Sequence, residues 1–275
     1  MQRKKMAARL LGWRLFAKIF REQTNDLRVT QIDVTLADWP LPVPGLRVGQ
    51  LSDMHCSGSQ AIERTRRAVD LLMAQKPDIV FLTGDYISYQ PQRWARPAVE
   101  ALAGLTAVPG GVFAVLGNHD YVSHGAETVS RELREVGIHV LRNESTPLPQ
   151  APGVWVIGLE SRRVGRQDVN SALMGVPAEA CKLLLIHEPD YADEAPRGFA
   201  LQFSGHSHAG QIRLPGMRPL YCPENGRKYP EGLQQARHHR VYTSRGVGVG
   251  GPQFRLFCPP EVAVLNLKHA ASPSA

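Results

Sequence analysis

Nine residues able to hold a metal or move a proton follow five apolar runs. LRVGQLSDMH closes on Asp53 and His55, DIVFLTGD on Asp85, and VFAVLGNHD on Asn118, His119 and Asp120; KLLLIHEP closes on His187 and LQFSGHSH on His206 and His208. A lone histidine there is ordinarily structural and a lone Gly-Asp ordinarily a turn, but five closures of this kind define a site. Asp53, His55, Asp85, Asn118, His187, His206 and His208 mix carboxylate, amide and imidazole donors, which suits Mn, Fe, Zn or Ni better than the all-oxygen shell of calcium. They are too many for one four-coordinate ion. Two divalent transition-metal ions are therefore expected.

The elements that must carry these residues are legible as an α/β alternation. Strands are expected at 46–53, 77–85, 111–120 and 138–142, with helices at 61–75, 93–104 and 125–136 between them. Strands at 153–159, 182–187, 200–204, 209–214, 240–244 and 262–267 follow. Ligands in open α/β sheets bind beyond the carboxyl ends of strands, which is where the nine residues fall.

In this order the blocks DxH (53–55), GD (84–85), GNHD (117–120), His187 and GHSH (205–208) resemble the signature of the calcineurin-like metallophosphoesterases. AVLGNHDY, HEPDY, SGHSHAGQIRLP and YTSRGVG are similar to the YkuE/YaeI-like branch, which includes UDP-2,3-diacylglucosamine hydrolases. The resemblance implies a four-layer α/β/β/α sandwich, two mixed sheets flanked by helices. It also implies that Asp53, His55, Asp85 and His208 hold one metal and Asp85, Asn118, His187 and His206 the other, with Asp85 bridging.

Phosphoester cleavage accounts for such a set. Two cations ~3.5–4 Å apart clamp phosphoryl oxygens and share a hydroxide aimed in line at phosphorus, available near neutral pH because metal-bound water has a pKa of about 7 in favourable zinc sites. His119 is expected at the leaving-group oxygen, with Asp120 orienting its ring; the alternatives are a structural contact for His119 and a turn role for Asp120. A cyclic-nucleotide or general phosphodiesterase is the second enzymatic reading, and a non-catalytic scaffold of the same fold is the third.

The chain has 275 residues and a formal charge of +7, and the excess sits at one end. Residues 1–21 hold seven of the 32 basic side chains and no acid, leaving 25 basic residues against 25 acidic ones. A nucleic-acid surface is thus not expected on the body. Met6, Leu10, Trp13, Ala17 and Phe20 recur at helical spacing among those charges. An anionic membrane reached through residues 3–21 is one expected partner, a helix packed on the body the alternative. Arg14 and Lys18 interrupt the apolar stretch, so secretion is not expected, and no run reaches the ~18 residues of a membrane span. The expected location is the cytoplasm, at the inner face of the membrane if the arm binds lipid. The domain reading is an arm and Pro-rich connector (1–45), the phosphoesterase domain (46–269) and a tail (270–275).

Weaker signals remain. Cys56, Cys181, Cys222 and Cys258 are far apart and read as reduced thiols, with Cys56 beside a ligand. The glycines of SRGVGVGG could turn amides toward phosphate, and Arg245 in that loop is a candidate substrate contact. Arg162, Arg163 and Arg166 follow Glu160, where relatives tend to carry paired acids; a solvated loop or a phosphate clamp are both open. The other histidines have no motif context and read as surface or structural. The substrate expected is a phosphorylated small molecule or a lipid-linked phosphoester.

Overall fold

A computed structural model describes residues 23–214, 217 and 219–270. The basic arm at 3–21 lies outside the described residues, as does the tail at 271–275. Twelve strands form two six-stranded mixed sheets. The first is ordered β1 (Arg28–Leu36), β12 (Glu261–His269), β2 (Leu46–Leu51), β3 (Ile79–Leu82), β4 (Val112–Ala114) and β5 (His139–Val140). The second is ordered β10 (Gly232–Gln235), β11 (Arg240–Thr243), β9 (Phe199–Ser204), β8 (Cys181–Leu185), β7 (Val154–Gly158) and β6 (Glu144–Pro147). β2 to β5 run parallel, and so do β7, β8, β9 and β11.

The strands that read as unbroken apolar runs are buried on both faces. Along β3, Ile79 and Phe81 face the second sheet while Val80 and Leu82 face the helices α1 (Ser59–Met73), α2 (Pro91–Glu100) and α4 (Ala126–Glu135). The short helix Asn118–Val122 is α3. On β8, Leu183 and Leu185 turn inward while Leu184 packs outward with Tyr191 and Ala172 of the short helix α5 (Val169–Ala172). Alternation with period two thus yields an inter-sheet core and an outer core on each side. Phe81 closes the middle edge-to-face on Phe203 of the other sheet, ring centroids 4.8 Å apart.

Three strands were not legible, and one expected strand does not form. β1 alternates exposed and half-buried positions, and of its apolar residues only Val34 and Leu36 are buried; the strand nevertheless pairs along all nine residues of β12. The domain boundary expected at 46 therefore cuts through the first sheet. β6 and β10 are short polar edge strands. Residues 209–214 form a 3₁₀ turn and a single bridge, Ile212 to Leu256, because the chain there folds around the site instead of entering a sheet.

A chain shortened to begin at Leu46 should lose Val34, Leu36 and Trp39 from the core and expose the β12 edge. It is expected to aggregate in size-exclusion chromatography, where a chain beginning at Gln23 stays monodisperse. His239, only 4% exposed beside Phe199, supplies a pH test. Burial holds its pKa down to about 4, so between pH 6.5 and 4 the unfolded chain binds more protons and stability falls as pH drops, by roughly 3 kcal/mol in total. Urea titrations of His239→Gln should show a shallower acid slope than the parent.

Candidate metal centre

The five loops meet where the carboxyl ends of both sheets converge. Asp53 and His55 leave β2, Asp85 leaves β3, and Asn118 and His119 leave β4 at the start of α3. His187 leaves β8, and His206 and His208 leave β9. Hydrogen bonds join the loops, both between the sheets and within the first of them. The His206 N–H meets both Asp53 oxygens at 3.1 Å, Gln50 Nε2 donates to Ser204 O at 3.0 Å, and Asp53 N–H reaches Gly84 O at 2.9 Å.

Sharp turns are needed to aim these side chains at one point. Asp53, His55, Asp85, His206 and His208 all have φ between 49° and 68°. Such left-handed backbone is uncommon for side-chain-bearing residues and persists only where surrounding structure holds it. Glycines make room for it. A Cβ on Gly117 would overlap Asp85, one on Gly205 would overlap Ser52 and Asp53, and one on Gly250 would press on His208 Nε2.

Two sets of ligand atoms result. Asp53, His55 and His208 form one, and Asp53, Asp85 and His187 the other, each with its atoms within 4.8 Å of one another. His55 Nε2 lies 3.0 Å from His208 Nε2 and 3.5 Å from Asp85 Oδ2; His187 Nε2 lies 3.2 Å from Asp85 Oδ2 and 3.9 Å from Asp53 Oδ1. Asp53 thus belongs to both sets, and Asp85 Oδ2 also faces imidazoles of both. His206 stands beside them, its ring 5.0 Å from that of His187.

The imidazoles are held with one nitrogen bare. His187 Nδ1 donates to Thr83 O at 2.6 Å, which leaves Nε2 buried without a partner; Asn118 Oδ1 is buried and unpartnered as well. His206 Nε2 donates to Glu224 O at 2.7 Å, freeing Nδ1, and His55 Nδ1 lies 2.8 Å from Ser88 Oγ. Arg255, fully buried, donates through Nη2 to Gly248 O and lies 3.2 Å from His208 Nδ1. Buried acceptors facing one another without donors fit a bound cation.

The buried charges shift one another strongly. Burial, with Asp85 nearby, raises Asp53 to about 6, and burial drives His55 down to about 3. Burial followed by the neighbouring His55 and Arg255 pushes His208 well below the usual histidine range. Burial alone would raise Asp85, but His187, His55 and His119 outweigh it and hold the carboxyl well below its usual value. His187 goes the other way: burial would lower it, but Asp85 and then Asp53 outweigh that and raise it well above the usual histidine range, so a cation binding there takes the place of a proton.

Several sequence expectations change here. Asp120 does not touch the His119 ring: its carboxylate accepts N–H bonds from Asp85, Tyr86, Ile87 and Gly117 at 2.9–3.3 Å, clamping the GD loop to the GNHD loop. His119 anchors through its backbone N–H to Asp85 Oδ1 at 2.8 Å, and its ring, 4.9 Å from that of His55, faces the cavity. Arg245 pairs with Glu261 at 3.2 Å and Thr30 at 3.3 Å and does not line that cavity. Glycine-loop amides do not await phosphate either, since Val247 and Gly248 donate to Ser52 O and Asp53 O and Gly250 to Gln211. Cys56 turns its thiol to Thr65, and burial pushes it up to about 11.

Other contributors had no motif. Thr83, Glu224, Ser88 and Arg255 act through a carbonyl, a hydroxyl or a guanidinium from loops whose sequence carries no metal signature. Glu188, fully buried next to His187, accepts the N–H groups of Arg162 and Arg163 and pins that loop. Arg162 is spent on Glu194, whereas Arg163 lines the cavity over the centre. The cavity measures about 630 Å³, with Asp85, Asn118, His119 and His206 on one side and Ile212, Leu220, Tyr221 and Pro223 on the other.

The pattern of the calcineurin-like phosphoesterases matches residues 46–210. The chain is 31% identical over 227 residues to the uncharacterised metallophosphoesterase YkuE of Bacillus subtilis, covering 82% of this chain and 79% of YkuE. It is 31% identical to the phosphodiesterase YaeI of Escherichia coli, covering 79% and 80%. It is 27% identical to the UDP-2,3-diacylglucosamine pyrophosphatase LpxG of Chlamydia muridarum, covering 88% and 91%.

Gly117 has φ −98°, so alanine fits the backbone there and fails only against Asp85. Gly117→Ala is expected to lower bound metal in elemental analysis and to cost about 1–3 kcal/mol. Unchanged metal content would show that the close packing does not position Asp85.

Proposed function

The chain belongs to the calcineurin-like phosphoesterase family and is a metal-dependent phosphoester hydrolase; on that premise we propose that it cleaves a phosphoester or pyrophosphate bond in a lipid-linked substrate. The observation that carries this reading is that one cavity is lined both by Asp85, Asn118, His206 and His208 of the metal centre and by the apolar side chains of Ile212, Leu220, Tyr221 and Pro223. Asp53, His55, Asp85 and His208 would hold one cation, and Asp85, Asn118, His187 and His206 the other, with Asp53 close enough to serve both. Such ions supply Lewis acidity for the phosphoryl oxygens and a water acidic enough to attack phosphorus near neutral pH.

The chain's own residues supply the rest. The His119 ring makes no hydrogen bond to the described residues, so it is free to donate a proton to the departing oxygen. Asp120 fixes where that ring starts by holding the two loops together. Arg163, on the cavity wall and without an ion-pair partner among the described residues, is placed to meet a second anionic group of the substrate.

A lipid-linked substrate is supported by what borders the opening. Leu214, Met217, Leu220 and Tyr221 are all exposed, Tyr221 by 70%. Four large apolar side chains on one segment beside a catalytic cavity suit an acyl or prenyl group better than a soluble nucleotide. No helix among the described residues is long and apolar enough to cross a membrane, so contact with lipid would be at the surface, aided by the basic residues of 3–21.

Asp85→Ala should abolish turnover of an aryl phosphate and lower bound metal together; activity surviving that change would overturn the ligand assignment. His119→Ala should reduce kcat by about 10²–10⁴-fold for an alkyl ester and far less for p-nitrophenyl esters, whose leaving group needs no proton. A lipid-linked phosphoester presented in anionic liposomes should be hydrolysed faster than in detergent-free solution with neutral vesicles, and indifference to the surface would sink the lipid reading.

A further inference from the structure

Beside His55 lies a second cavity of about 400 Å³ that shares no lining residue with the catalytic one. Its lining includes Ser57, Gly58, Ser59, Gln60 and Arg64, the start of α1, and no carboxylate. The helix is fifteen residues long, begins without a side-chain cap and has no acid in its first turn. Ala61 and Ile62 turn their N–H groups back to Gly58 O at 3.1 Å, whereas those of Ser59 and Gln60 meet no acceptor among the described residues. A Cβ at Gly58 would meet nothing within 4 Å, so the space before the helix is open. Unpaired N–H groups at the positive end of a long helix attract anions.

Arg64 is the independent observation. It is 5% exposed, and its Nε is buried with no hydrogen-bond partner. No carboxylate among the described residues pairs with it: neighbouring Glu63 is turned to Arg66. Burial first, then the nearby Arg255, lower its pKa to about 10. Side chains on a helix lean toward its N-terminus, which carries this guanidinium to the first turn and the cavity. Arginine buried to this degree is ordinarily paired.

We propose that this second cavity is an oxyanion site for a phosphate group, held by the N–H groups of Ser59 and Gln60 and the guanidinium of Arg64. The group is either free phosphate or the remote phosphoryl of a ligand. The site adjoins the metal centre through a short chain: Ser57 Oγ accepts the Ser88 N–H at 3.0 Å, and Ser88 Oγ lies 2.8 Å from His55 Nδ1. His55 itself forms part of the wall.

The test is an anomalous-scattering soak of metal-loaded crystals with tungstate, a tetrahedral phosphate mimic, using the parent and Arg64→Met. The parent should show tungstate against Ser59, Gln60 and Arg64 as well as at the metal centre; Arg64→Met should keep only the second. Replacing an unpaired buried cation by an apolar chain of similar length should leave the fold intact, which the thermal midpoint in phosphate-free buffer checks. Two further measurements separate the sources. A KM raised about tenfold, a loss of ~1.4 kcal/mol, for a substrate with two phosphoryl groups but not for an aryl monophosphate assigns the site to the substrate. A phosphate-induced rise in Tm that is smaller in Arg64→Met, with KM unchanged, assigns it to free phosphate. Tungstate at the metal centre alone in the parent, or density that persists in Arg64→Met, overturns the proposal.

Discussion

Buried acceptors that face one another without donors are the constraint on which the rest of this molecule depends. Asp53, Asp85, His187 and Asn118 are removed from water; His187 Nε2 and Asn118 Oδ1 have no hydrogen-bond partner among the described residues, and the two carboxylates, each held by a backbone N–H, face them. Isolated, each would cost free energy to bury. A cation relieves that cost for all of them at once, so the same atoms that destabilise the unliganded site bind metal. Metal binding and stability are in this way one property.

Keeping such groups together requires backbone that resists relaxing. Five of the donors sit at positive φ, and the loops bearing them are tied to one another rather than merely to their own strands. Asp120 shows the logic: a carboxylate in the signature motif contributes no ligand, but its four N–H bonds fix the spacing between Asp85 and Asn118. The glycine loop does related work from the other side. Its amides hold the carbonyls of Ser52 and Asp53, and its missing side chains leave room for Asp53 and His208.

The cavity over the metal centre has two kinds of face. One is polar, rigid and built on strand ends; the other is the apolar stretch around Ile212, Leu220 and Tyr221, which belongs to no sheet. Family membership speaks to the first face. YaeI and LpxG are named for different phosphoester bonds although both are similar to this chain, as expected when a shared metal set is combined with loops that vary.

Much of this was legible in the linear order of residues. Apolar runs on β2, β3, β4, β8 and β9 must be strands buried on both faces, and polar residues closing each run must gather at their carboxyl edge. Short-range pattern therefore determined the order of the central elements and the identity of the donors. β1 was hidden because an edge strand needs few apolar residues, and Arg245 was misjudged because its partner Glu261 is distant in the chain. Tertiary structure alone decided which nitrogen of His187 and His206 is bare, that Asp53 reaches both donor sets, that Asp120 grips backbone, and that Arg64 Nε is buried without a hydrogen-bond partner among the described residues. These outcomes rest on carbonyls, hydroxyls and charges brought close from remote segments, and proximity across a fold leaves no periodicity or spacing in the sequence to read.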